Sequence, residues 1–286
     1  MFTLFQTILL TICTSFLPPA TAHAGVFQNA EAIRALVRAY PDYLEASDKP
    51  NTVLWKDGTK MVFDDGVTKA DFENMLNHAS LKDQMSTPYP HSWPEHPPAR
   101  NESPGRARNE DFFRKMYGDS PDSVKENLVP VEWGNDRTVQ FTRINGAAKA
   151  LRSVRSELND LPGPSQRYVS RPLGTFHWRE ISGTKRLSMH SYGAAIDFQL
   201  PAEVYRYWKW DIHKSEDVPA YPESILRDSL LSQVVAVFEK HGFIWGGKWH
   251  QYDTMHFEYR PELAGQDTYM GFAHNPTPDS IRARNS

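Results

Sequence analysis

The cysteine content is the feature that most constrains what this sequence can fold into. The chain of 286 residues has one cysteine, Cys13, which lies inside an apolar segment near the N-terminus. The rest of the chain therefore cannot form a disulfide, a thiolate metal site or a cysteine nucleophile. Without disulfides the fold must rest on a hydrophobic core, and the 40% of hydrophobic residues are sufficient for one.

The first 24 residues have the pattern of an export signal. An apolar run from Leu4 to Leu17 precedes small residues, and Ala22 and Ala24 form the A-x-A pattern of a cleavage site. We expect cleavage near Ala24 and a secreted or periplasmic mature chain. The run is shorter than the roughly 20 apolar residues that span a bilayer. Because no Lys or Arg precedes it, an N-terminal membrane anchor stays open as an alternative.

Composition predicts an ordered chain that does not bind nucleic acid. Charged residues make up 23% and the net charge is -3, so the concentrated positive charge that phosphate binding needs is missing. Residues 86–108 hold six prolines without periodicity, which predicts a long surface loop. His91 and His96 in this loop could form a metal pair, but loop histidines are more often solvated.

Periodicity predicts the main elements of an α+β fold. Helical spacing ends at Pro41, and it recurs over 145–161, where Asn145 can act as the N-cap, and over 225–241. Two strand-like pieces within 52–63 flank an Asp-Gly turn and predict a β-hairpin. We expect an antiparallel sheet that carries the functional residues and is backed by the helices at 145–161 and 225–241.

Two short segments carry most of the candidate chemistry, and the first is 188–197. It contains His190 and Asp197, separated by Gly193 and small residues. Glycine lets the chain turn back here, and the small side chains leave room beside a bound ion. If the end of the segment is a strand, Ala195 and Asp197 point to one face and their apolar neighbours to the other.

The second segment, 245–258, has a strand-like alternation at its end. His256 and Glu258 alternate with apolar residues, so His256 faces away from them (Met255, Phe257 and Tyr259). A metal ligand is expected on such a face.

These side chains match the donor set of a catalytic zinc centre. His190, Asp197 and His256 offer two imidazoles and a carboxylate, which leaves a fourth position open. Zinc lowers the pKa of bound water to about 7. Asp253, on the loop before the ligand strand, could take the proton of that water.

The spacing leaves several points open. Arg179 and Arg186 both precede the first segment, and either guanidinium could stabilise an oxyanion. A histidine in a strand is more often a structural residue than a ligand, and an Asp before a Thr is commonly a turn or cap residue. Trp245 and Trp249 could pack in the core or form a wall of the substrate site.

The two segments together resemble the zinc D-alanyl-D-alanine carboxypeptidases, a family that also contains L-alanyl-D-glutamate endopeptidases. The pattern S-x-H-x-x-G-x-A-x-D is complete over 188–197, and Asp253 stands three residues before His256. The resemblance covers about residues 140–263. It implies an α+β fold of the Hedgehog/D,D-peptidase type.

The resemblance also implies roles for individual residues. It implies that Zn2+ is bound by three side chains (His190, Asp197 and His256) and that Asp253 is the catalytic acid/base, although many relatives have Glu there. The stretch 174–179 is similar to the one in which relatives have an active-site arginine, so Arg179 is expected to be catalytic. Ser188, Arg186 and Trp249 are expected to contact the substrate.

The implied function is hydrolysis of peptidoglycan stem peptides by an exported zinc metallopeptidase, with D-alanyl-D-alanine carboxypeptidase as the leading prediction. The alternatives are an L-alanyl-D-glutamate-type endopeptidase, a non-hydrolytic zinc-binding recognition module like the Hedgehog signalling domain, and a lytic factor directed at other cells. Arg152, Arg186 and Lys248 are candidates for binding a terminal carboxylate. Neither nucleic acid nor a membrane span of the mature chain is expected.

The predicted domain organisation has four parts. An export signal (1–24) precedes an N-terminal extension (25–139), the zinc peptidase domain (140–263) and a C-terminal tail (264–286). The extension could continue the same domain, cover the cleft or bind wall polymer.

Overall fold

A computed structural model describes residues 20–134, 136–212 and 220–265, with side chains from residue 29 onwards. The export signal expected at 1–24 lies outside the described residues except for its last five. The expected C-terminal tail lies outside them except for its first two. Within the described part of the chain, no helix is both long enough and apolar enough to cross a membrane.

The N-terminal region begins with a long helix and a small antiparallel sheet. Helix α1 (Ala20–Ala39) ends just before Pro41, as predicted. Strand β1 (Leu44–Glu45) pairs with β2 (Thr52–Trp55), which pairs with β3 (Lys60–Val62). The predicted hairpin is therefore confirmed. Short helices follow, namely α2 (Phe72–Asn77), α3 (Leu81–Met85), α4 (Glu110–Tyr117) and α5 (Pro121–Lys125).

A second hairpin leads into the first helix that backs the central sheet. Strands β4 (Leu128–Gly134) and β5 (Arg137–Thr142) are antiparallel, and β5 spans residue 139, where the extension was expected to end. Helix α6 (Ala147–Leu158) follows and buries its apolar face. It lies within the helix predicted over 145–161.

The predicted N-cap of this helix is wrong. Asn145 has a φ of 49°, in the left-handed region, and α6 begins two residues later, after Gly146, without a side-chain cap. The Nδ2 of Asn145 instead donates to the carbonyl of Ala39, 2.8 Å away. Asparagine tolerates the left-handed conformation better than most residues, so it serves here as a turn that joins α6 to the end of α1.

The central sheet has four antiparallel strands in the order β6-β7-β9-β8. Their bounds are β6 (Pro172–Gly174), β7 (Ala195–Phe198), β8 (Phe243–Trp245) and β9 (His256–Tyr259). In the register of β7 and β9, Asp197 lies directly opposite His256. Two of the three candidate ligands are therefore neighbours across one strand pair.

The expectation that the sheet would carry all three ligands is wrong for His190. This residue lies in a short 3-10 turn (Met189–Tyr192) that precedes β7. Ser188 caps the turn, and Gly193 ends it with a φ of 61°. A side chain at 193 would also collide with Leu128, because the ideal Cβ would lie 2.4 Å from its Cδ2. Glycine therefore both reverses the chain and admits the β4–β5 hairpin.

Helices cover one face of the central sheet, as predicted. The helix expected over 225–241 forms two pieces, α8 (Glu223–Leu226) and α9 (Ser229–Lys240), because Asp228 caps a new helix. α6 and α9 share a buried core with the sheet, which includes Ile196, Phe198 and Phe257. Together with α7 (Trp208–Ile212) and α10 (Pro261–Ala264), these elements define an α+β fold.

The N-terminal region packs around the site, on the side of the central sheet opposite to α6 and α9. A second core joins its side chains to residues of the turn and strands, among them Leu36, Phe112, Phe113, Tyr192 and Ala195. Residues 86–108 hold no helix or strand, but they do not form the simple surface loop that was expected. Several of their side chains are buried, including Tyr89 and Arg108.

Candidate metal centre

Three side chains converge within hydrogen-bonding distance of one another. His190 Nε2 lies 3.1 Å from Asp197 Oδ1, and His256 Nδ1 lies 3.0 Å from the same oxygen. The two ring nitrogens are 3.2 Å apart. Both histidines are buried and Asp197 is half-buried. Among the described residues, no other group of three or more such side chains is close enough to hold a metal ion.

Each imidazole is oriented by a hydrogen bond on the side away from the cluster. His190 Nδ1 lies 3.1 Å from the carbonyl oxygen of Thr175, which can only accept, so this nitrogen carries the proton. His256 Nε2 lies 3.0 Å from a carboxylate oxygen of Glu258. Such partners fix the ring orientation and the tautomer of metal-binding histidines. Nε2 of His190 and Nδ1 of His256 are thus directed at Asp197.

The cluster needs a positive charge at its centre. Burial alone would lower the pKa of His256, but its hydrogen bonds with Asp197 and Glu258 outweigh burial and raise the pKa to about 10. Burial would raise the pKa of Asp197, but the charges and hydrogen bonds of the two histidines hold it well below its usual range. Three lone-pair atoms at this distance repel one another unless a proton or a cation lies between them.

A zinc ion fits this arrangement. Nitrogen and carboxylate oxygen bind zinc at about 2.0–2.2 Å, which in a tetrahedron separates the ligand atoms by about 3.3–3.6 Å. The observed separations of 3.0–3.2 Å are close to that range. Two imidazoles and one carboxylate are also the ligand number and type of catalytic zinc sites. His190, Asp197 and His256 could therefore hold the ion with little movement.

Asp253 lies on the wall of the same small cavity. This cavity of about 50 Å³ is lined by the three cluster residues, by Asp253 and by several arginines. Burial raises the pKa of Asp253 to about 6. Its Oδ1 is buried and has no hydrogen-bond partner among the described residues. A carboxylate in this state can accept a proton near neutral pH and release it again.

The two arginines expected at the site have different positions. Arg179 is exposed and lines the cavity of the cluster. Arg186 is buried and lines a neighbouring cavity instead, where its Nη1 donates to the carbonyl of Arg106. The structure therefore brings Arg179, but not Arg186, to the cluster.

Of the remaining residues expected at the site, some line the cavity of the cluster and others do not. Ser188 and Trp249 line the cavity of the cluster. Arg152 is bound to the carbonyl of Pro130. Lys248 forms a buried ion pair with Glu239, 2.6 Å away. Neither Arg152 nor Lys248 lines the cavity of the cluster, so both fail as carboxylate-binding residues next to it.

Two arginines that the sequence did not single out complete the cavity. Arg106 and Arg108 lie in the proline-rich segment and line the same cavity as Asp253. Arg108 Nη1 lies 3.8 Å from Glu258, and the guanidinium of Arg106 lies over the ring of Trp249, 5.1 Å from its centroid. An Arg-Ala-Arg sequence within a loop is a weak signal, because a loop has no periodicity that would assign its side chains to a face.

The arrangement defines a class of site, a cluster of three side chains that could hold a metal ion, with a buried carboxylate and arginines around it, as in hydrolytic enzymes. Residues 182–259 match a family model described as D-alanyl-D-alanine carboxypeptidase. The match confirms the predicted resemblance over this segment. It contains all three cluster residues and Asp253. No curated protein and no solved structure matches the chain.

Proposed function

We propose that this chain is an exported zinc peptidase that hydrolyses peptidoglycan stem peptides, with the terminal D-alanyl-D-alanine bond as its principal substrate. The observation that carries the proposal is the convergence of His190, Asp197 and His256 in one cavity with the buried Asp253. The family match over 182–259 supports the peptidase activity and the class of substrate.

In this proposal His190, Asp197 and His256 hold the ion. Zinc, when bound, supplies Lewis-acid activation of water and of the scissile carbonyl. Asp253 accepts the proton of the attacking water through its buried carboxylate and transfers it to the leaving amine. The exposed guanidinium of Arg179 stabilises the negative charge that develops on the carbonyl oxygen.

The location and the substrate class support each other. Peptidoglycan lies outside the cytoplasmic membrane, and the export signal predicted for residues 1–24 would direct the chain there. Hydrolysis, rather than recognition alone, is favoured by Asp253, because a purely structural metal site needs no buried acid/base beside it.

The test is mass spectrometry of defined stem peptides after incubation with the zinc-loaded protein. Loss of one alanine from a pentapeptide that ends in D-alanyl-D-alanine, abolished by a chelator and by Asp253→Asn, is the expected result. Cleavage within the stem of a tetrapeptide would instead support an endopeptidase. Intact peptides after incubation with fully zinc-loaded protein would contradict the peptidase proposal and favour a non-hydrolytic zinc-binding module.

A further inference from the structure

Arg108 contacts both of the chain segments that carry the candidate metal ligands. Its side chain comes from the N-terminal region and is buried. Its Nη2 donates to the carbonyl oxygen of Leu187, 2.9 Å away. Its Nη1 lies 3.8 Å from Oε2 of Glu258. One guanidinium therefore joins the chain just before the turn of His190 to the strand that carries His256.

On the side of the second segment, Arg108 acts through Glu258. The Oε2 atom of Glu258 that faces Arg108 is also the atom that lies 3.0 Å from His256 Nε2. The other oxygen, Oε1, is held by Arg260 at 2.9 Å. Because both oxygens have a cationic partner, the carboxylate is fixed in orientation. It thereby fixes the imidazole of His256 with Nδ1 directed at Asp197.

On the side of the first segment, the N-terminal region holds both backbone groups of Leu187. Its carbonyl oxygen accepts from Arg108, and its N–H donates to Oε2 of Glu110, 3.3 Å away. The next residue, Ser188, caps the turn by accepting from the N–H of His190. The start of the turn that presents His190 is therefore fixed by two side chains of the N-terminal region.

Packing alone does not account for an arginine at this position. The Nε of Arg108 is buried and has no hydrogen-bond partner among the described residues. A buried donor without an acceptor costs free energy, and an apolar side chain of similar volume would avoid that cost. The planar fork of a guanidinium, however, can contact a carbonyl and a carboxylate at the same time. The two contacts, rather than the filling of space, distinguish arginine here.

We propose that Arg108 is a positioning residue of the metal centre, which holds the segments of His190 and His256 at the separation that the ion requires. The inference rests on the metal binding of the proposed function and extends it to the N-terminal region. Ligands that are fixed before binding hold a metal more tightly than mobile ones. Arg108 lies outside the matched segment 182–259. That segment by itself would therefore bind the ion more weakly than the whole chain does.

The test is the zinc affinity of the full chain, measured by competition with a chromophoric chelator. Arg108→Met removes both contacts and keeps an unbranched side chain, so the affinity should fall by about 10- to 100-fold, as for other partners that orient metal-binding histidines. Arg108→Lys keeps the charge but not the fork, so its loss should be smaller, about three- to tenfold. Arg100→Met, at an exposed position of the same proline-rich segment, is the matched control and should keep the wild-type affinity.

A double-mutant cycle distinguishes positioning from general stabilisation. If Arg108 acts through Glu258, the combined Arg108→Met and Glu258→Gln protein should lose less zinc affinity than the product of the two single losses, by about threefold or more. A role in stability alone would lower the thermal unfolding temperature of the metal-free protein. It would leave the zinc affinity of the folded fraction unchanged.

None of these measurements requires peptide hydrolysis. A protein that binds zinc but cleaves no peptide would contradict the peptidase proposal, and the zinc affinities would still decide about Arg108. If circular dichroism shows that Arg108→Met does not fold, Arg108→Lys takes its place in both experiments. The inference would be overturned by wild-type zinc affinity in the deciding variant, by single losses that multiply to within about twofold in the cycle, or by a wild type that binds no zinc.

Discussion

The two faces of the central sheet are stabilised by different interactions, although the same strands form both. On one face Ile196, Phe198 and Phe257 pack against α6 and α9, and the rings of Phe238 and Phe257 stack with centroids 4.0 Å apart. On the other face the alternate residues of the same strands are Asp197, His256 and Glu258. The helical face is held by apolar burial, whereas the charged face is held by hydrogen bonds and ion pairs between buried polar groups.

The difference explains why the charged face needs a cover from distant parts of the chain. Glu258 is fully buried and pairs with Arg260 at 2.9 Å, and Arg260 pairs with Glu262 at 2.6 Å. The N-terminal region continues this network, because Tyr40 donates to Glu262 and Gly105 accepts from Arg260. A hydrogen-bonding network of this kind keeps buried charges satisfied and rigid. Substitutions on the two faces should therefore have separable effects.

The largest separable effect is expected at Asp253. Asp253→Asn removes the proton acceptor and keeps the size of the side chain, so kcat should fall by about 10²- to 10⁴-fold. Zinc content and the free energy of unfolding should stay near the wild-type values, because Asp253 is not one of the three clustered ligands. Steady-state kinetics and elemental analysis measure both. Asp160→Asn, at an exposed position, is the control, and an unchanged kcat for Asp253→Asn would refute the acid/base role.

The apolar face should lose stability without losing the metal. Phe238 is fully buried in α9, so Phe238→Ala should lower the free energy of unfolding by about 3–5 kcal/mol. Urea unfolding of the zinc-free protein measures this change, and zinc titration of the folded fraction should give the wild-type affinity. The half-buried Leu230→Ala in the same helix should cost less. A parallel loss of zinc affinity would mean that the two faces are not separable.

Glu258→Gln, on the charged face, should lower the zinc affinity while the protein keeps its secondary structure. This substitution weakens the partner of His256 Nε2, and partners of this kind typically contribute 10- to 100-fold to metal affinity. We expect a loss of about that size in competition with a chelator, together with retained secondary structure. Glu132→Gln, at an exposed position on β4, should leave the affinity unchanged. Equal affinities for Glu258→Gln and the wild type would show that the charged face does not tune the metal.

The dependence of zinc binding on pH tests the charge of the metal-free cluster. In the metal-free protein the pKa of His256 is raised to about 10, so the ring is protonated at neutral pH. Zinc must displace this proton, and its affinity should therefore rise by about tenfold per pH unit between about pH 7 and 9. Calorimetry in buffers of different ionisation enthalpy should detect about one proton released per ion at pH 7. An affinity that does not change over this range would contradict the charge assigned to the cluster.

The predictability of the two faces from sequence differs for a physical reason. Helix α6, helix α9 and the β2–β3 hairpin follow from local periodicity, and the two motifs identified the cluster and Asp253 because these residues lie in short segments. Arg106 and Arg108 could not be predicted, since they reach the site from an aperiodic loop about 80 residues before His190. His190 was predicted as a ligand, but its location in a turn was not, because the turn depends on Ser188 and Gly193 rather than on strand alternation.

The central claim is that three side chains from two separate segments of the chain bind one zinc ion. Its most direct test is the zinc content of the purified protein after zinc loading and dialysis, measured side by side for the wild type and for His190→Ala. We predict about one ion per chain in the wild type and almost none in the variant. A wild type without zinc, or a variant that keeps its full zinc content, would contradict the claim.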